Sequence, residues 1–131
     1  MIRFFLVAGA ILAGLAVALG AYGAHGLEAR VTPERVDTFN TGVQYHMYHA
    51  VGLIIVGALL AIGAPSTVFW AGVSFLVGIA FFSGSLYTLV LTDTPVLGAV
   101  APVGGVAFIV GWLLVAWAAF TGSIGGDMTL P

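Results

Sequence analysis

Residues Ile2 to Tyr22 read IRFFLVAGAILAGLAVALGAY, an apolar run interrupted only by Arg3. A helix rises about 1.5 Å per residue, so roughly 20 such residues cross a hydrocarbon core of about 30 Å. The stretch opens like a secretory leader: a basic residue, an apolar core, then small residues around Ala18, Gly20, Ala21, Gly23 and Ala24. A leader's core is only about 7–15 residues long, so this run is read as a retained membrane span ending near residue 24. Gly26 is well placed to follow its last turn.

Three more spans follow from the same arithmetic. Thr32-Pro33-Glu34 is a helix start, with Thr32 as cap, Pro33 in a position that needs no N–H, and Glu34 at the positive dipole end. No strong breaker appears until Gly63-Ala64-Pro65, so one long helix is expected from Pro33 to Ile62, with Gly42 as a place to bend. Residues 28–40 form its polar, interfacial approach, and its membrane part spans about 41–62. The third span covers about 67–91 and ends in the turn Thr92-Asp93-Thr94-Pro95. Residues 96–101 are apolar but too short to cross, and are expected to lie along the interface or dip into it. Pro102 then opens a fourth span over about 103–121, followed by a Gly-rich tail, 122–131, expected to be mobile.

Composition agrees with this reading. The chain is 61% hydrophobic and 6% charged, whereas a soluble domain carries about 45–50% and 25%. Folded in water it would expose large apolar patches, which excludes a soluble enzyme domain and a disordered segment. The absence of cysteine excludes a disulfide scaffold. Three Arg, no Lys and a net charge of −2 exclude a nucleic-acid binder. The expectation is a single all-α domain over 1–131: a polytopic membrane protein of four transmembrane helices in a compact bundle, with the lipid bilayer as its surroundings.

Alternation of four spans sorts the residues into two ends. The end that holds Met1 also holds residues 63–66 and the tail. The opposite end holds His25, the 28–40 segment, Tyr45 to His49, Ser83 to Asp93 and the start of the fourth span. All three His and all four Tyr fall at this second end, with six of the eight charges. It also has Arg30 and Arg35 against Arg3 at the other, which leans toward placing it in the cytoplasm. The alternating charges Glu28, Arg30, Glu34, Arg35 and Asp37 read as a solvated interfacial segment.

Nineteen glycines are about twice the usual share. Helices in lipid associate by close backbone approach, so small-residue ridges are candidate packing faces. Span one offers Ala10, Gly14 and Ala18 at four-residue steps, with Gly9 and Ala13, and Ala16 and Gly20, on neighbouring ridges. Packing within the bundle and an oligomer interface on span one are both open. Ser74 and Gly78 repeat the step in span three, while Gly104, Gly105 and Gly111 thin span four.

The polar residues of the second end form helical ladders: Asn40, Gln44 and Tyr48 on one line, Thr41, Tyr45 and His49 on the next. His46 and His49 are one turn apart. Alternation puts His25 at the same depth, and Ser83, Ser85, Tyr87 and Thr88 supply hydroxyls from span three. The candidate cofactor-binding cluster is therefore His25, Gln44, Tyr45, His46, Tyr48, His49, Ser83 and Tyr87. Three readings compete: a hydrogen-bonded plug that fixes the helices; a pocket for haem, quinone or lipid; and a divalent metal site on the three imidazoles. The last lacks a Cys or a carboxylate within the membrane. No nucleophile is paired with a base and no phosphate loop follows a strand, so no catalytic residue, metal ligand or resident cofactor is assigned.

Several stretches together carry a resemblance. They are Gly20 to Leu27 (GAYGAHGL), Phe39 to Ala50 (FNTGVQYHMYHA), Phe82 to Tyr87 (FSGSLY), Ala101 to Gly105 (APVGG) and Gly111-Trp112. This pattern resembles the small integral membrane proteins of domain-of-unknown-function family 423, to which the eukaryotic transmembrane protein 256 is similar. The resemblance implies a four-helix protein of a bacterial inner membrane or a eukaryotic organelle membrane, and it implies no established activity. The expected function is that of a non-enzymatic multi-pass inner-membrane protein, an accessory or structural subunit in a homo-oligomer or larger membrane complex. One alternative is a protein that binds a cofactor, quinone, haem or lipid through His25, His46 and His49. The other is a small oligomeric transporter or channel, although the apolar run Leu53-Ile54-Ile55-Val56 offers no polar path.

Overall fold

A computed structural model describes residues 2–122 and 124; the expected mobile tail falls almost wholly outside the described residues. The chain is all-α, with four helical spans long and apolar enough to cross a membrane and no strand among the described residues. The first span is α1, Ile2–His25, followed by one 3-10 turn at Leu27–Ala29. The second is α2, Pro33–Ala61. Thr32 caps it by accepting a hydrogen bond from the Arg35 amide at 3.4 Å, and Pro33 takes the first helical position. The fourth span is the helix Ala101–Phe120, preceded by a 3-10 stretch, Pro95–Ala99, that occupies the short apolar segment.

The third span is not one regular helix. It comprises α3 (Ser66–Gly78), a π turn (Ile79–Ser83) and α4 (Gly84–Thr92), so the helix Ala101–Phe120 becomes α5. The apolar run 67–91 holds no breaker, and the wider turn is explained by its neighbour. A Cβ on Gly104 of α5 would overlap the backbone of Phe81 and Phe82, so α5 presses directly against the π turn. The helix ends at Asp93, which adopts a left-handed conformation with φ 49° and closes the last turn as an αL cap.

Helix α1 packs almost entirely on α2, while α5 packs on α3 and the π turn. Their outer sides carry exposed Val7, Ile11 and Leu15, and Val106, Ile109 and Leu113, which suits lipid. One apolar core joins Phe5, Leu53, Val56, Val68, Phe75 and Phe108. A smaller one, Leu27, Phe39, Leu89 and Val90, lies beneath the polar loop. Along α2 and the third span, the buried polar residues His46, His49 and Ser83 fall between these two cores.

The small-residue ridge of α1 faces differently from one reading of the sequence. Gly9, Ala16 and Gly23 are buried, and a Cβ on Gly9 would stand 2.8 Å from the Ala50 carbonyl oxygen. Ala10, Gly14 and Ala18 are all exposed, and Gly14 has nothing within 4 Å of an added Cβ. The packing ridge is the seven-residue series 9, 16, 23, which keeps to one side of a helix where a four-residue series drifts around it. Helix α2 runs unbroken through Gly42, whose role is close approach: a Cβ there would lie 2.9 Å from Tyr87 Cε1.

Candidate functional site

The polar layer is built around two imidazoles on the inner side of α2. His49, 4% exposed, has both ring nitrogens engaged. The Trp112 indole Nε1–H of α5 donates to His49 Nε2 at 3.0 Å. An indole nitrogen only donates, so Nε2 is the unprotonated nitrogen. The proton therefore sits on Nδ1, which donates to the Tyr45 carbonyl at 2.7 Å. Phe108 of α5 lies parallel to the same ring, with centroids 3.5 Å apart and planes 11° apart. His49 is thus a joint between α2 and α5.

His46, 2% exposed, joins α2 to α4. Its Nδ1 is 2.8 Å from the Tyr87 hydroxyl. Its Nε2 is buried near the Leu12 backbone of α1, without a hydrogen bond of ordinary geometry. One turn earlier, the fully buried Ser83 hydroxyl donates to the Gly42 carbonyl at 2.7 Å. Ser85 and Thr88 turn inward to their own helix, donating to the carbonyls of Phe81 and Gly84. Of the expected cluster the structure joins His46 to Tyr87, while Ser83 and His49 bond across helices to the Gly42 carbonyl and to Trp112.

Of the other four, Tyr45 stays with His49 through its carbonyl and its stacked ring, while the side chains of His25, Gln44 and Tyr48 take no part in these bonds. His25 is exposed at the end of α1 and shares no contact with the other imidazoles. Helix α1 places Gly9 against Ala50, Gly20 against Val43 and Gly23 against Phe39 and Asn40. In that register His25 lies about 14 Å along the axis from the level of His46, not at the same depth. The three-imidazole metal site loses its geometry with it, and no group of three potential metal-binding side chains occurs among the described residues.

Gln44, Tyr45 and Tyr48 are exposed and line two clefts. One cleft, of about 740 Å³, lies between α1 and α2, with Asp37, Asn40, Thr41, Gln44 and Tyr48 along its α2 wall. The ladder Asn40–Gln44–Tyr48 is therefore a single outward face. Thr41 donates to the Asp37 carbonyl, but the side chains of Asn40 and Gln44 form no hydrogen bond with any described residue. The second cleft, of about 750 Å³, lies between α2 and α5 and is lined by Tyr45, Tyr48, His49, Phe108 and Trp112 among others.

The sequence reading missed Phe108 and Trp112 as members of the layer. Trp112 follows Gly111, whose bare backbone takes the Phe75 ring and lets the two helices close; that Gly-Trp step was the available signal. The same end is tied at the surface by Arg35 and Asp93, whose side chains pair at 3.2 Å between the start of α2 and the end of α4. Among the described residues the alternating charges of 28–37 form no ion pair with one another, and the one ion pair is this long-range one.

Four membrane-length helices locked by interhelical imidazole, phenol and indole contacts define a small polytopic integral membrane protein. Residues 19–105 match the family described as protein of unknown function DUF423, and the chain belongs to that family. It is 48% identical over 121 residues to the UPF0382 membrane protein YwdK of Bacillus subtilis, covering 89% of this chain and 96% of that one. A UPF0382 membrane protein of Staphylococcus haemolyticus is 44% identical over 113 residues, covering 86% and 91%. No solved structure matches the chain.

Proposed function

We propose that the protein is a non-enzymatic accessory subunit of the inner membrane, docking onto another membrane protein through the cleft between α1 and α2. The observation that supports this reading is the unpaired amide face of α2. Gln44 lies about one turn inside the expected membrane boundary near Thr41, and an amide without a partner in hydrocarbon costs several kcal/mol. Asn40 and Gln44 have no partner within the described chain. Polar side chains of a neighbouring helix would satisfy them, and the half-buried Gly20 and exposed Val17 beside them leave room for its approach. The buried imidazoles act as struts in this reading, since His46 bonds to Tyr87 of α4 and His49 to Trp112 of α5.

A photo-reactive residue in place of Gln44, irradiated in native membranes, tests the proposal. The expected result is a discrete adduct with a second protein, absent when the probe replaces Leu15 on the lipid side. An adduct of twice the chain's own mass would make the partner a second copy. Adducts with lipid alone at both positions would overturn the docking role.

A further inference from the structure

The cleft between α2 and α5 has a different chemistry from the docking face. Its volume of about 750 Å³ is within the range of small-ligand sites, about 300–1,000 Å³. Tyr45, Tyr48, Val106, Ile109 and Trp112 line it and are exposed, so it opens toward the lipid side. Its wall is an ordered set of rings: Tyr45, His49 and Phe108 lie within 11° to 20° of one another. Gly105 at its edge leaves the wall bare, with only Phe82 Cδ2 close, 3.9 Å from where a Cβ would stand. The polar groups still available there are the hydroxyls of Tyr45 and Tyr48, which have no hydrogen-bond partner among the described residues. By helical rise they sit about 6 and 10 Å inside the boundary at Thr41.

We propose that this cleft binds the planar, carbonyl-bearing ring of a lipid-soluble quinone-type molecule, with the Tyr45 and Tyr48 hydroxyls donating to the ring carbonyls. An acyl chain would use neither the parallel rings nor two free phenol donors. Haem requires an axial ligand, and the imidazole in the cleft, His49, has both nitrogens occupied. The donors that select this ligand are thus phenols, and the imidazoles serve to hold the ring wall in place. The two clefts share Tyr48, but binding of a quinone to the purified protein is read without any docking partner and so stands or falls separately from the docking proposal.

Trp112 is a reporter in the cleft wall, and the chain has two other Trp, Trp70 and Trp117. A Trp70→Phe, Trp117→Phe version in phosphatidylcholine nanodiscs leaves Trp112 as the single indole. Decylubiquinone should quench it saturably. Tyr45→Phe with Tyr48→Phe should weaken binding about tenfold, the effect of two modest hydrogen bonds, while leaving the far-UV dichroism unchanged. Gly105→Leu should abolish the saturable component by filling the cleft. Quenching that rises linearly with quinone and is equal in the tyrosine variants would mean simple partitioning and overturn the proposal. Saturable quenching by dibrominated phosphatidylcholine that decylubiquinone fails to displace would assign the cleft to acyl chains, and would overturn it equally.

Discussion

The indole of Trp112 and the imidazole of His49 meet at 3.0 Å across the α2–α5 contact, and this bond determines which nitrogen of His49 carries the proton. It is one of few polar links between those helices, so it is the place to measure what the buried layer contributes. Trp112→Phe should leave His49 Nε2 without a donor, and His49→Phe should keep the stack on Phe108 but orphan the indole. Interhelical hydrogen bonds in membranes couple by about 0.6 kcal/mol on average, with a ceiling of about 1.7. A double-mutant cycle in detergent unfolding should return a coupling in that range; additive losses would show that the bond carries no energy.

Gly9 and Gly14 should respond in opposite ways to the same substitution. Gly9→Leu would drive a side chain into the Ala50 carbonyl and Ile54, and overpacking of this kind costs about 1–3 kcal/mol or more. Gly14→Leu meets nothing within 4 Å and should change the unfolding midpoint of the solubilised monomer by little, about 0.5 kcal/mol or less. A large loss for Gly14→Leu in the monomer would contradict the helix rotation. A loss seen only in native membranes would point to a second chain on that ridge.

How far the fold was legible depends on what kind of signal each residue gives. Span number follows from runs such as Ile2 to Tyr22, because hydrocarbon thickness sets the length directly. The start of α2 at Thr32-Pro33 was legible because capping is local chemistry. The face of α1 was not: alanine and glycine stand on nearly every side of that helix, so small-residue spacing could not choose between the 9–16–23 series and the exposed 10–14–18 series. The π turn was hidden for a related reason, since it answers to Gly104 on another helix. The candidate site divided in the same way. His46, His49, Ser83 and Tyr87 stand in one layer because buried polar groups in lipid must find partners, here a phenol, an indole and backbone carbonyls. His25 was misplaced because alternation fixes the end of a span but not its depth.

Asp93 holds φ 49° with a side chain that also pairs with Arg35. These two features predict an ordering of variants. Asp93 is 87% exposed and Arg35 27%, so the pair should contribute about 0–1 kcal/mol. A Cβ in the left-handed region costs about 1–2 kcal/mol, although Asp tolerates it better than most. Asp93→Gly should therefore be close to neutral, losing the pair but relieving the backbone. Asp93→Ala should be worse than either, by about 1 kcal/mol in detergent unfolding. If Asp93→Gly proved the worse of the two, the ion pair and not the turn would be what the position requires.

Arg30 and Arg35 also make the orientation testable. Basic residues in short loops favour the cytoplasmic side, and acidic neighbours such as Glu28 and Asp93 offset this little. The loop end, with the polar layer beneath it, should therefore face the cytoplasm. The chain has no native cysteine, so Ala29→Cys, in the exposed 3-10 turn after α1, introduces a single thiol. A membrane-impermeant maleimide should spare it in intact cells and label it in inverted vesicles. Labelling in intact cells would turn the protein over. The unpaired Asn40 and Gln44 face would then meet partners from the outer side of the membrane, and the two tyrosines would lie in the outer leaflet.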